Sequence, residues 1–377
     1  MENNYKPLTK EELEKAFSYC LKKIDEKLDE YDGKYPTYGI NNKYRLVETG
    51  DDWVEGFWVG MLWLAYEMTN DEKYRVQAEK YVLDMYKRID EKINVAHHDM
   101  GFLYSLSCVA AYKLTGNEIA KKAAIMAADN LMTRYQQKGE FIQAWGELGE
   151  EKSYRLIIDC LLNIPLLFWA TQVTGDKKYE EVAKKHFKTS MKVSIRENGS
   201  TNHTYYFDTK TGEPLRGETA QGANNDSSWS RGQAWGIYGI PLGLKYAYDE
   251  KYIDTYYKVF NHFIENLPSD YVCGWDLIFT QDDCQRDSSA AATAVCGMKE
   301  MLKYSKRDEE KINMAINNIL RSLIENYTTE NTDNDGLLMH GVYSLPIDLA
   351  VDECVIWGDY FYMEALVRML KDWELYW

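Results

Sequence analysis

Two aspartates stand where an acidic side chain is costly. Asp159 lies in Leu156-Ile-Ile-Asp-Cys-Leu-Leu162, and Asp99 lies in Ala96-His-His-Asp-Met-Gly-Phe-Leu-Tyr104. A carboxyl in an apolar run is desolvated, which raises its pKa toward the range of a general acid working near neutrality. Each also has a structural reading. Asp159 is placed for an ion pair with Arg155 one helical turn back, or for a helix cap, and Asp99 for a helix N-cap, a position aspartate favours. His97-His98-Asp99 does not read as a metal site, because adjacent histidines do not share a face of regular structure and the sequence offers no matching ligand cluster. The turn Thr332-Asp-Asn-Asp-Gly336 resembles a calcium loop. Counted from Asp333, however, the twelfth position is Ser344 rather than an acid, so we read a plain turn.

Aromatic residues gather beside these acids. Trp229-Ser-Arg-Gly-Gln-Ala-Trp235 sets two indoles around Arg231, either as an anion clamp beside a sugar-stacking platform or as a buried arginine packed between rings. Trp53, in Asp51-Asp-Trp-Val-Glu-Gly-Phe-Trp58, and Trp145, in Gln143-Ala-Trp145, add flat apolar surfaces. Two carboxyls, aromatics, an arginine and histidines equip a site for glycoside chemistry. The chain has no Gly-x-Ser-x-Gly elbow, phosphate-binding glycine loop or dinucleotide fingerprint, so we expect no cofactor.

The elements that must position these groups recur along the chain. An apolar helix ends in a short polar turn, and a charged amphipathic helix follows. Met61-Leu-Trp-Leu-Ala-Tyr-Glu-Met68 leads into Thr69-Asn-Asp-Glu-Lys-Tyr74, and Leu166-Leu-Phe-Trp-Ala-Thr-Gln-Val173 into Thr174-Gly-Asp-Lys-Lys-Tyr179. Similar pairs begin at Cys108, Leu242 and Ala294, and a last apolar helix spans Tyr360 to Met369. The first helix of each pair is apolar nearly all round and the second on one stripe only. Buried inner helices wrapped by half-exposed outer ones predict an all-α (α/α)6 barrel. A helix from Thr9 to about Glu30 is its last outer member. The repeat covers residues 1–377 as one domain. The stretch from Arg196 to Trp229, rich in Asn, Thr, Gly and Ser, is expected as loops or a small hairpin at one mouth of the barrel, the mouth toward which several inner-helix N-termini would point.

The chain has 377 residues, with 44 Lys and Arg against 60 Asp and Glu, a net charge of −16. That field repels nucleic acid. No run is long and apolar enough to span a membrane, and the N-terminus lacks an apolar signal core. The seven cysteines are scattered, odd in number and mostly in apolar context, which predicts a reducing cytoplasm. Heavily charged outer helices predict a monomer or weak homo-oligomer.

His98-Asp99-x-Gly101-Phe-Leu-Tyr104, Asp159-x-x-x-Asn163-x-Pro165-Leu-Leu167, Gln221-Gly222 through Trp229-Ser-Arg-Gly-Gln-Ala-Trp235, Asp287-Ser-Ser-Ala290 and Trp357-Gly-Asp-Tyr-Phe-Tyr362 together resemble the unsaturated glucuronyl hydrolases, glycoside hydrolase family 88. The resemblance covers nearly the full length and implies an (α/α)6 barrel. It also implies removal of a 4,5-unsaturated uronic acid from the non-reducing end of lyase-generated oligosaccharides by hydration of a vinyl ether. By the same resemblance, Asp159 is the general acid and then the base that activates water, and Asp99 is the second essential carboxylate, orienting or stabilising the cationic transition state. On physical grounds a charged Asp99 would raise the pKa of Asp159 further. His98, Trp53, Trp145, His203, Gln221, Arg231 and Trp235 line the uronate subsite, with Arg231 and His203 as candidates for its carboxylate.

Two departures carry expectations. Some relatives have His before the residue matching Gln221, where this chain has Ala220. Members that favour sulfated fragments carry Ser-x-x-Ser-x-Lys, where this chain has Ser344-Leu-Pro-Ile-Asp-Leu349; only Ser344 is kept and Asp348 would repel a sulfate. Unsulfated or lightly sulfated fragments are therefore expected. The alternatives are an unsaturated rhamnogalacturonyl hydrolase acting on pectin fragments, an ordinary inverting glycosidase, and a non-catalytic sugar-binding toroid.

Overall fold

An inner helix apolar on every side needs neighbours on every side, and a closed ring supplies them. In the computed structural model, which describes residues 6–377, the ring is present. The inner helices are α2 (Glu55–Thr69), the α4–α5 pair (Met100–Tyr104 and Ala110–Thr115, joined by a π-turn over Ser105–Val109), α7 (Pro165–Thr174), α9 (Ser230–Tyr246), α11 (Ser288–Met301) and α13 (Ile356–Leu370). Each touches the next, and α13 closes on α2. The outer helices are α3 (Glu72–Asp90), α6 (Glu118–Met132), α8 (Lys178–Val193), α10 (Lys251–Glu265), α12 (Glu309–Ser322) and α1 (Lys10–Lys27), which packs on α13 as expected. The helix expected from Thr9 begins one residue later, because Thr9 is its cap. The Thr9 hydroxyl accepts from the Glu12 N–H, and the Glu12 carboxylate accepts from the Thr9 N–H in return.

The other connections are longer and sit at the mouth. Hairpin β1 (Tyr35–Ile40) with β2 (Lys43–Val47) precedes α2, and the short pair β3 (Tyr135–Gln136) and β4 (Phe141–Ile142) follows α6. The stretch expected as loops or a hairpin contributes β6 (Thr204–Phe207) and β7 (Pro214–Glu218). They pair antiparallel with β5 (Arg155–Ile157) in a three-stranded sheet. Hairpin β8 (Gly341–Ser344) with β9 (Leu349–Glu353) precedes α13. The turn at Thr332–Gly336 is structural: Asp335 is buried and paired to Lys27 at 2.8 Å and Lys43 at 3.3 Å. All seven cysteines are free. Among the described residues no helix is long and apolar enough to cross a membrane.

Candidate active site

Asp99 occupies the N-cap position of α4, yet its side chain makes no capping bond. It turns instead to its neighbours: Oδ2 lies 3.1 Å from His97 Nδ1 and Oδ1 lies 3.4 Å from His98 Nε2. Asp159 sits in the 3-10 turn Ile158–Leu162 that precedes α7, and its Oδ1 lies 3.5 Å from the same His98 nitrogen. The ion pair to Arg155 does not form; that guanidinium bonds the carbonyl of Lys152 and the Tyr206 hydroxyl.

Close approach of two backbones brings the acids together. A Cβ on Gly101 would stand 2.4 Å from the Cα of Asn163 and 2.8 Å from two carbonyl oxygens, so only glycine lets α4 and the 3-10 turn meet here. Asn163 then stitches them. Its side-chain oxygen accepts from the Phe102 N–H at 2.9 Å and its amide donates to the Asp159 carbonyl at 3.3 Å.

His98, Asp99 and Asp159 each offer a donor atom within 4.8 Å of the other two, close enough to share a proton or a small cation. The sequence hid this cluster because Asp159 lies far along the chain. We assign it proton chemistry. Burial is the main cause that pushes both carboxyls up, and Asp99 raises Asp159 further. Asp52, itself raised by burial, pushes Asp99 in the same direction. For the expected charge on Asp99 the effects oppose one another: burial and Asp52 push its carboxyl up, while Arg134, Asn163 and Arg88 pull it down. Asp159 keeps 18% of its side chain exposed, whereas Asp99 and His98 are sealed. Neither ring nitrogen of His98 has a hydrogen-bond partner in the protein. Unpartnered buried nitrogens beside an acid with an open edge are what a polar ligand would satisfy.

The aromatic residues divide by exposure. Trp145 is half-buried and stacks on His97, with ring centres 4.5 Å apart and planes 9° apart. Trp53 is half-buried, and its Nε1 donates to the Tyr343 hydroxyl at 2.7 Å. Trp235 departs from the expected stacking platform. It is 1% exposed and packs against Phe102 and Phe361 in the barrel interior.

Arg231 lies between the Trp229 and Trp357 rings. Its NH1 donates to Asp287 at 2.8 Å and to the Val342 carbonyl at 2.6 Å; its NH2 donates to Gln221 and to the Tyr343 carbonyl, both at 2.7 Å. Of the two readings of the Trp-Ser-Arg motif, the structure has the packed arginine between rings, which fixes Gln221 and hairpin β8–β9. Ser344, buried at the end of β8, belongs to the same hairpin.

The histidines do not supply positive charge. His203 accepts from the Ala220 N–H through Nδ1 and is pulled down to about 3, by burial first and then by Arg231. His97 falls to about 3, and His98 lies well below its ordinary value, both chiefly through burial. One buried cation acting on Asp99 was not singled out in the sequence. Arg134 donates to the carbonyls of Gln143, Gly146 and Ala96 and has no carboxylate partner, so it braces the Trp145 loop and the approach to His97 together. Its only signal in the sequence was an arginine two residues past the end of α6.

This arrangement has close counterparts among known proteins. The model of Glycosyl Hydrolase Family 88 matches residues 23–374. An unsaturated chondroitin disaccharide hydrolase of Streptococcus agalactiae is 51% identical, the match covering 99% of this chain and 95% of the relative. The crystal structure of an unsaturated glucuronyl hydrolase from Streptococcus agalactiae superposes with a TM-score of 0.96 at 50% identity, over 99% of this chain and 95% of that one. A mutant of that enzyme complexed with dGlcA-GalNAc6S superposes with a TM-score of 0.89 at 46% identity, over 99% and 95%. The ring of six helical hairpins, the acids at its mouth and these matches along nearly its whole length lead to one assignment: the chain belongs to Glycosyl Hydrolase Family 88 and is a glycoside hydrolase.

Proposed function

We propose that the chain releases 4,5-unsaturated uronic acid from the non-reducing end of lyase-generated glycosaminoglycan oligosaccharides. It does so by hydrating the C4=C5 vinyl ether rather than by attacking the anomeric carbon. The observation that carries this reading is the buried Asp99–His98–Asp159 cluster with one open edge, on Asp159. In this reading a protonated Asp159 gives its proton to C4, and positive charge develops at C5 and the ring oxygen. The resulting carboxylate takes a proton from a water that adds to C5. The product is a hemiketal, which opens and frees the next sugar. Trp53 and Trp145 offer the half-buried faces, His98 and His203 neutral imidazole groups, and Gln221 an amide held in place by Arg231. Arg134, which has no carboxylate partner, supplies local positive charge for an anionic substrate in a chain of net charge −16, whereas the charge of Arg231 is paired with Asp287.

Segment Ser344–Leu349 supports a preference for unsulfated or lightly sulfated fragments. Its tip presents Ile347, 70% exposed, followed by Asp348, and carries no cation. The whole chain acts as one catalytic domain. Free thiols throughout fit a reducing cytoplasm, and charged outer helices fit a monomer or weak homo-oligomer.

The test is to incubate the protein with unsaturated chondroitin and other uronate disaccharides and follow loss of the enoate's ultraviolet absorbance, with saturated disaccharides as controls. Absorbance should fall, fastest with unsulfated chondroitin disaccharide, and saturated controls should be ignored. No loss with any unsaturated uronate overturns the activity, and faster turnover of the 6-sulfated disaccharide overturns the preference alone.

A further inference from the structure

His97 has no part in the reaction proposed above, yet it meets Asp99 twice. Its Nε2 lies 3.0 Å from the Asn94 carbonyl oxygen. A carbonyl only accepts, so Nε2 carries a proton. The Asp99 backbone N–H donates to Nδ1 over 3.1 Å, so Nδ1 is bare and the ring is the neutral Nε2–H tautomer. The same Nδ1 stands 3.1 Å from Asp99 Oδ2. Two bare acceptors repel at that distance, and a proton between them removes the conflict. It cannot reside on Nδ1, because an imidazolium N–H would then face the donating amide.

We infer that Asp99 is held as a neutral acid whose Oδ2–H donates to His97 Nδ1, which makes His97 a positioning residue for the reaction proposed above. The surroundings act in both directions: burial and Asp52 favour a proton on Asp99, while Arg134, Asn163 and Arg88 oppose it. Arg88 and Arg134 disfavour an imidazolium at position 97. An ionised Asp99 would in turn raise Asp159. His98, Cys160 and Tyr343 complete the shell, and burial keeps each of them neutral. The consequence is that the two carboxyls differ. The Asp99 proton is directed away from the cluster, the Oδ1 lone pairs face His98, and the proton free to reach a substrate is that of Asp159. An ionised Asp99 would hold the Asp159 proton more tightly and weaken it as an acid.

The ring also stacks on Trp145, and two substitutions separate the roles. His97→Phe keeps a stacking ring without an acceptor; His97→Asn keeps an acceptor near Nδ1 without the ring. With melting temperature and circular dichroism confirming folded protein, His97→Phe should lower kcat about tenfold with KM within about threefold of wild type. It should also move the alkaline limb of the kcat profile down by about one pH unit, the worth of one lost hydrogen bond to the neutral acid. His97→Asn should return that limb to its wild-type position. A wild-type profile in His97→Phe with a defective His97→Asn would overturn the inference and leave stacking as the role.

Ring-nitrogen NMR of the wild-type protein is independent of turnover. His97 should read as the neutral Nε2–H tautomer from about pH 5 to 8, and an imidazolium signal there overturns the inference. The neutral tautomer in a protein that releases no uronate would sink the reaction and leave the proton assignment standing.

Discussion

Asp99 and Asp159 approach the same nitrogen of His98 from two different elements, at 3.4 and 3.5 Å. The acids share one buried imidazole, but only Asp159 has an open edge. Asp159→Asn keeps shape and packing and removes the transferable proton. Turnover of an unsaturated disaccharide should fall about 10³-fold, the scale of a general acid, with the melting temperature unchanged or raised. Retained turnover would remove Asp159 from the chemistry.

The meeting of the acids depends on Gly101, where a Cβ would lie 2.4 Å from Asn163 Cα, a backbone atom that cannot swing aside. Gly101→Ala should therefore separate α4 from the 3-10 turn. We expect a loss of about 3 kcal/mol in denaturant unfolding, the upper range for overpacking, and lower turnover in the protein that remains folded. Full stability in this variant would show that the two elements can slide apart without cost.

Asp287 has two tasks at once. Its Oδ2 pairs with Arg231 at 2.8 Å with both side chains sealed from solvent, and its Oδ1 accepts from the Ser289 and Ala290 N–H groups at the start of α11. Removing one member of a buried pair leaves the other unpaired. Asp287→Ala should cost about 3–5 kcal/mol in urea unfolding and loosen the β8–β9 hairpin that Arg231 anchors. A variant as stable as wild type would show that Arg231 finds another partner.

His186 isolates a pH effect away from the acids. It is fully buried, accepts from the Ile142 N–H through Nδ1, and is pulled from 6.5 to about 3 by burial alone. A base with a depressed folded pKa stays neutral in the fold while the unfolded chain binds a proton. Its contribution to stability is thus complete above about pH 6.5 and is lost as pH falls toward about 3. His186→Asn should make the stability–pH slope in that window shallower by about 1.4 kcal/mol per pH unit relative to wild type. Parallel curves for the two proteins would contradict the assignment.

The sequence by itself determined the barrel. Whether a helix is apolar all round or on one stripe is a local property, and alternation of the two kinds leaves a closed ring of hairpins as the way to bury the inner ones. It also marked Asp159 and Asp99, because a carboxyl among leucines and isoleucines, or at the start of an apolar helix, is conspicuous wherever it falls. The tertiary structure decided what those acids are. Their proximity arises from a glycine-permitted contact between elements distant along the chain, and their protonation from burial and the hydrogen bonds of His97. Trp235 turned inward and Arg231 became anchored for the same reason: which face of an inner helix points to the mouth depends on how the ring closes. Arg134, which braces the Trp145 loop through three backbone carbonyls, left only a faint trace in the sequence, because carbonyl partners carry no residue signature.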